Sequence, residues 1–225
     1  TKIYFPGNII FCKLVVLRLD ELLRICTKIV IVTRKSCTFV PSKIRRNMDK
    51  IRLKDKEFEL FIPEKEINEA IAMMAEQIKA DVGDSNPLFV GVLNGAFMFT
   101  AELMRQMDTH YEITFARYSS YRGLNTTGVV REIMPVQADV RGRTLILLED
   151  IIDTGYTMQF VMDKLRNDGA ADVKLATMLF KPDSLKCDLK PDYVGLQIPS
   201  DFIVGYGLDY DQKYRNLPYI GVVEV

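Results

Sequence analysis

The chain has 225 residues, 48% of them apolar and 27% charged, with a formal net charge of zero. That balance suits one globular domain or one domain with an accessory piece, and it excludes a disordered chain. No run of about 18 apolar residues could cross a membrane, no global basic field argues for nucleic acid, and the single histidine, His110, leaves no multi-histidine metal site. The cysteines, Cys12, Cys26, Cys37 and Cys187, have no C-x-x-C spacing and form no disulfide framework, as in a reducing compartment.

The zero charge is a sum of unlike parts. Residues 1–47 hold ten Lys and Arg against Asp20 and Glu21, a net +8, so residues 48–225 carry −8. Lys13 and Arg18 interrupt the apolar run Ile9–Leu19, which argues against a secretory signal, and two serines are few for a transit peptide. The expectation is a basic extension over 1–47, with Met48 as the natural start and a domain over 48–225. Ile9–Leu19 and Leu22–Val32 are apolar enough to take structure on a partner surface.

From there strand-like and helix-like patterns alternate. Phe58–Ile62 reads as a strand ending at Pro63. Glu64 and Glu66 favour a helix start, and Ile67, Ile71, Met74 and Ile78 recur at helical spacing until Val82-Gly83. Leu88–Leu93 reads as a buried parallel strand, turned by Asn94-Gly95-Ala96 into a helix with Phe99, Leu103 and Met107 on one face. Tyr111–Tyr118 reads as a strand, Ser119–Gly128 as a polar mobile loop, and Val129–Gln137 as an extended arm. Thr144–Leu148 is an apolar strand, and Thr157–Asn167 a helix stopped by Asp168-Gly169. Val173–Phe180, Tyr193–Ile198, Phe202–Val204 and Tyr219–Val225 complete the strands. The alternation predicts an α/β fold with a mainly parallel twisted sheet flanked by helices.

The chemistry gathers in Leu145–Met158. An apolar strand delivers Glu149 and Asp150 at its carboxyl end, where ligands bind in open α/β sheets. Asp153, Thr154, Gly155, Tyr156 and Thr157 then open a helix. Gly155 admits a close backbone approach, and the free N–H groups with two threonine hydroxyls make a phosphate cradle. Carboxylates ahead of a phosphate nest suit a molecule with a phosphate at one end and vicinal hydroxyls plus a metal at the other. An acidic pair alone would be read as solvated; the full E-D-x-x-D-T-G-x-T pattern after an apolar strand is not.

This segment resembles the 5-phosphoribosyl-1-diphosphate (PRPP) motif of type I phosphoribosyltransferases, closest to the hypoxanthine (guanine) branch. The resemblance runs in order over about residues 50–225, through Leu93–Ala96, Ser120-Tyr121, Phe180-Lys181-Pro182, Pro191–Gly195, Phe202–Tyr210 and Arg215. Residues 1–47 have no counterpart in it. The family fold it implies adds a small hood to the sheet.

The resemblance also implies roles. Glu149 and Asp150 take the ribose hydroxyls, directly or through water and Mg²⁺, and Asp153 is the general base for purine N7. Thr154, Gly155, Tyr156 and Thr157 hold the 5′-phosphate. Asn94 and Gly95 form the pyrophosphate loop, with Arg215 on the same leaving group. Lys181 donates to the purine 6-oxo group, Phe202 stacks on the base, and the Ile203 backbone reads the ring edge. Asp209 closes the purine segment and holds a second Mg²⁺. Ser120 and Tyr121 open a flexible lid that excludes water. Taken singly, Lys181 reads as a surface lysine, Phe202 as core, Asp209 as a turn acid and Arg215 as an ion-pair partner; their order and spacing favour function. His110 and Cys187 carry no signature of a role. Asn94 and Tyr156 stand where lysine is common in the family, and Leu93-Asn94 is a candidate for a non-proline cis peptide.

The implied activity is purine salvage: the phosphoribosyl group passes to hypoxanthine or guanine, giving IMP or GMP. The implied partners are PRPP and a 6-oxopurine, without nucleic acid or membrane, in a cytoplasmic homodimer or homotetramer. Two other readings are a PRPP- or nucleotide-sensing regulator on the same fold and a relative using xanthine or another base. The retention of Asp153, Lys181 and Phe202 and the acidity of 48–225 count against the regulator.

Overall fold

The structure, a computed structural model, describes residues 38–39, 51–53, 56–83, 85–107, 111–121 and 129–223. The apolar runs at Ile9–Leu19 and Leu22–Val32, Met48 and His110 lie outside the described residues. Eleven strands and three α-helices are described: β1 (Thr38–Phe39), β2 (Ile51–Leu53), β3 (Lys56–Ile62), α1 (Glu64–Val82), β4 (Leu88–Leu93), α2 (Phe97–Gln106), β5 (Glu112–Tyr121), β6 (Val129–Met134), β7 (Thr144–Ile152), α3 (Tyr156–Asn167), β8 (Asp172–Phe180), β9 (Tyr193–Gln197), β10 (Ile203–Val204) and β11 (Ile220–Val223).

The main sheet runs β1-β9-β8-β7-β4-β5-β6, and only β5–β6 is antiparallel. A second, antiparallel sheet runs β10-β11-β3-β2 and is the small hood. Leu145–Leu148 are all buried, as is the run Leu88–Val92, because helices cover both faces of the parallel strands. One core cluster joins α1 and α2 to one face through Ile71, Met74, Phe89, Phe99 and Ile146. The other joins α3 to the opposite face through Val90, Leu147, Val161 and Leu165. Each large side chain so buried contributes about 1.5–3 kcal/mol.

Helix α1 starts after extended Pro63, carries Glu64 and Glu66 in its first turn and Lys79 in its last, and stops at Gly83. The sequence places α1, β4 and α3 to within a residue. It misses β5. Ser119–Tyr121, read as the start of a loop, continue the strand, paired with Arg131, Val130 and Val129. Ladder hydrogen bonds to β6 hold these polar residues in a strand that their own propensity does not demand. The arm at Val129–Gln137 is a strand only as far as Met134.

Strand β1 lies upstream of the charge boundary at Met48, yet pairs parallel with β9 at Leu196 and Gln197. The described residues all belong to one compact unit, 37–225.

The direction of winding reverses between β4 and β7. From β4 the order proceeds to β5 and β6; from β7 it proceeds the other way to β8 and β9. That switch point opens a crevice outside the carboxyl ends of β4 and β7.

Candidate active site

Three loops meet at the crevice. The end of β7 brings Glu149 and Asp150, the turn after β4 brings Asn94 and Gly95, and residues 205–215 arrive from the hood side. The contact is tight: a Cβ at Gly95 would overlap the Asp150 carboxylate, and one at Gly207 would overlap the Gly95 carbonyl oxygen. Only glycine at both positions lets the 94–96 turn sit between the Asp150 side chain and residue 207. The Leu93-Asn94 peptide is cis, and the exposed Asn94 presents no cation there.

The electrostatics follow from crowding two acids. Burial, then the adjacent Asp150 charge, push the Glu149 carboxyl well above its ordinary range. Burial lifts Asp150 to about 6; hydrogen bonds from backbone N–H groups and the Arg215 guanidinium oppose the rise, and the Asp209 charge adds to it. Glu149 Oε2 is buried without a hydrogen-bond partner, while Asp150 Oδ1 accepts from the Ile151 N–H at 3.0 Å. An orphaned carboxylate oxygen beside a second carboxylate is a site short of a cation or a donor. Among the described residues no cluster of three or more His, Cys, Asp or Glu could hold a metal by itself. A hard cation here would therefore draw on one or two carboxylates plus substrate oxygens and water, which is how Mg²⁺ is commonly bound.

Arg215 closes the far side. Its Nη1 donates to the Gly207 carbonyl at 2.7 Å, and Nη2 pairs with Asp209 Oδ1 at 2.7 Å. Asp209 Oδ2 also accepts from the Gln212 N–H at 2.8 Å. Asp209 thus faces Arg215, not a cage with Glu149 and Asp150.

The candidate phosphate cradle follows β7. Asp153 and Thr154 are half-buried, and Gly155 is left-handed (φ 83°) at the N-terminus of α3. A Cβ on Gly155 would meet Cys187 Sγ and Leu185 Cδ1, each at 2.7 Å. The 185–189 segment therefore packs directly behind the cradle, and its Lys186 N–H donates to the Thr154 carbonyl at 2.9 Å. No side chain caps α3, so its first N–H groups remain free to bind an anion. The Tyr156 side chain points out and is exposed, while Thr157 is half-buried.

The fourth component follows β8. Lys181 is buried, with 7% of its surface exposed, and Nζ donates to the Asp201 carbonyl at 2.8 Å. That bond joins the lysine to the segment carrying Phe202, which is half-exposed, and Ile203, which is buried in β10 against Val222. Of the expected lid, Ser120 and Tyr121 end β5, and residues 122–128 lie outside the described residues.

The site thus contains residues the motifs alone did not single out. Gly207 makes the close approach to Gly95, and Cys187 and Leu185 back the cradle. The G-Y-G run at 205–207, a glycine pair with positive φ of 102° and 97°, is the signal that could have pointed to the first. Nothing local signals the second.

A mainly parallel sheet with carboxylates at its switch point and an uncapped helix start one loop further on defines an α/β protein of the open-sheet, crevice-binding class. The phosphoribosyl transferase domain family model matches residues 63–211, and the chain belongs to this family. Its relatives place it more narrowly. The hypoxanthine-guanine phosphoribosyltransferase of Streptococcus pneumoniae is 44% identical over 160 residues, 71% of this chain and 89% of the relative. That of Bacillus subtilis is 40% identical over 166 residues, 73% of this chain and 92% of the relative. The crystal structure of a Bacillus anthracis hypoxanthine-guanine phosphoribosyltransferase superposes with a TM-score of 0.71 at 38% identity, covering 74% of this chain and 98% of that one.

Proposed function

We infer that the protein is a purine-salvage enzyme that transfers the 5-phosphoribosyl group of PRPP to N9 of hypoxanthine or guanine, releasing pyrophosphate. The observation that carries this is the convergence at one crevice of the Glu149–Asp150 pair, the uncapped start of α3, and the Gly95–Gly207 contact with Arg215 beside it.

In this reading the N–H groups of α3's first turn and the Thr154 and Thr157 hydroxyls bind the 5′-phosphate, with Gly155 and Tyr156 contributing backbone. Glu149 and Asp150 accept from the ribose hydroxyls. Mg²⁺, when bound, supplies positive charge to the leaving pyrophosphate. The backbone at Asn94 and Gly95 and the Arg215 guanidinium receive that pyrophosphate; the loop lysine common in the family is absent here, which leaves more of the charge to Arg215. Asp209 holds Arg215 in place and is available to a second Mg²⁺.

Phe202 stacks on the base, a contact worth about 1–3 kcal/mol, and the Ile203 backbone reads the ring edge. An ammonium has three donors, so Lys181 can keep its Asp201 bond and still donate to a 6-oxo group. A 6-amino group offers no lone pair, which disfavours adenine. Asp153 takes the N7 proton as N9 attacks C1′, with oxocarbenium character developing as pyrophosphate departs. Ser120 and Tyr121 begin the segment that screens this centre from water.

We further propose that the chemistry resides in residues 48–225, with 1–47 a basic extension, and that the enzyme works in the cytoplasm, as its lack of a disulfide framework supports. A homodimer or homotetramer is supported by Ile113 and Phe115, exposed large side chains on one face of β5. Steady-state assays with PRPP, Mg²⁺ and each base test the main reading. Hypoxanthine and guanine should turn over and adenine should not; turnover of xanthine or adenine alone would overturn it.

A further inference from the structure

The purine subsite depends on one ring, Phe202, whose placement needs explaining. Its backbone is fixed: the Phe202 carbonyl accepts from the Val223 N–H at 3.0 Å, at the start of the β10–β11 ladder. Its side chain is 50% exposed. A half-exposed phenylalanine has several staggered rotamers to choose from, and only one presents a face to a base. Something must select it.

The neighbouring ring is that of Tyr210. Its ring meets Phe202 edge-to-face, with centroids 6.1 Å apart and planes at 80°. Tyr210 also meets Phe58 at 6.1 Å and 60°. Phe58 is 2% exposed and forms the core of the hood with Val204 and Val223, against which Tyr210, Tyr214 and Leu217 pack. The three rings therefore run from a fixed core residue to the half-exposed base stacker.

The backbone under Tyr210 is equally constrained. Tyr210 and Lys213 exchange N–H···O bonds of 3.2 Å each across a two-residue turn. Asp211 and Gln212 occupy it with φ of 54° and 61°, the conformation of a tight hairpin turn. The Asp209 carboxylate braces the turn through the Gln212 N–H and Arg215.

We propose that Tyr210 is a positioning residue for the 6-oxopurine: its ring, buttressed by Phe58, holds Phe202 in the rotamer that stacks on the base. The inference rests on the reading of Phe202 as the purine-stacking residue. In this proposal Tyr210 acts through Phe202 and not on PRPP, so its effect belongs in the Michaelis constant for the base.

The test is a double-mutant cycle read by steady-state kinetics on the full chain. Tyr210→Leu keeps apolar bulk and removes the ring; an edge-to-face pair of ordinary strength predicts a rise of about 3–10-fold in KM for hypoxanthine and guanine, with KM for PRPP within about twofold. Tyr210→Phe keeps the ring and should stay within about twofold of the parent in both constants. In a Phe202→Leu background, Tyr210→Leu should add less than about twofold, because its object is gone. If Tyr210→Leu is insoluble, Tyr210→Met is read in the same way.

An unchanged KM for the base in Tyr210→Leu overturns the proposal. So does a Tyr210→Phe variant as impaired as Tyr210→Leu, or an effect undiminished without Phe202. Failure of the underlying reading looks different: the parent would not use 6-oxopurines, or Phe202→Leu would leave KM for the base unmoved.

Discussion

Replacing Asp150 with asparagine separates what the acidic pair costs from what it does. Asp150 titrates at about 6 against an ordinary 3.8, chiefly because it is buried. At pH 7.5 the folded chain holds a charge it resists, and a shift of about 2 units corresponds to about 3 kcal/mol. Asp150 is only half-buried, and solvent screening reduces that to a gain of about 1–2 kcal/mol for the neutral variant. Asparagine preserves the shape against Gly95 and keeps an acceptor for the Ile151 N–H; it also removes the charge that helps to raise the Glu149 carboxyl, which acts in the same direction, and the attraction of Arg215, which acts against it. For a domain of this size the gain is a rise of about 3–6 °C in Tm at pH 7.5. Below pH 6 the parent's folded state takes up the proton while the unfolded state, titrating near 3.8, does not. The parent is therefore progressively stabilised as pH falls from about 6 towards 4, and the variant's advantage should shrink over that window. Activity moves the other way. A neutral amide accepts more weakly from the ribose hydroxyls and attracts no cation, so kcat/KM for PRPP should fall about tenfold or more, the worth of one charge-assisted contact. Scanning calorimetry at pH 7.5 and pH 5, with steady-state kinetics at pH 7.5, reads all three effects. A Tm at pH 7.5 equal to or below that of the parent, or a gain of the same size at both pH values, would refute the reasoning.

Three further perturbations address the other parts of the site and chain. Asp153→Asn should lower kcat by about 10²-fold or more while leaving KM for PRPP nearly unchanged; near-normal turnover on hypoxanthine would remove Asp153 as general base. Lys181→Ala should raise KM for 6-oxopurines with PRPP binding retained; equal losses for both substrates would make Lys181 a structural lysine that only anchors Asp201. A chain beginning at Met48 should fold and catalyse like the longer one: it loses β1, a two-residue edge strand whose few hydrogen bonds contribute about 1 kcal/mol each. Insolubility, or a melting temperature well below that of 1–225 at equal concentration, would make residues 1–47 part of the fold.

The sequence by itself determined the parts whose cause is local. Leu88–Leu93 and Leu145–Leu148 read as buried parallel strands because helices on both faces require unbroken apolar runs, and α1 was legible from Pro63 to Gly83 because its period and its end charges agree. That the acids, glycine and threonines of 149–157 gather at one place was legible for the same reason: a strand end, a turn and a helix start occupy consecutive residues. Only the tertiary structure decided which distant segments share that site. The reversal between β4 and β7 brings Gly95 against Asp150, 55 positions later in the chain, and the hood side then sets Gly207 on Gly95 and Arg215 beside Asp209. The extension of β5 through Ser119–Tyr121 was likewise decided by pairing with β6, and the packing of Tyr210 on Phe202 by the hood core beneath it. Side-chain pattern records burial along one element, but close approach between elements depends on strand order, register and the absence of a Cβ at the point of contact, which become defined only when the sheet is assembled.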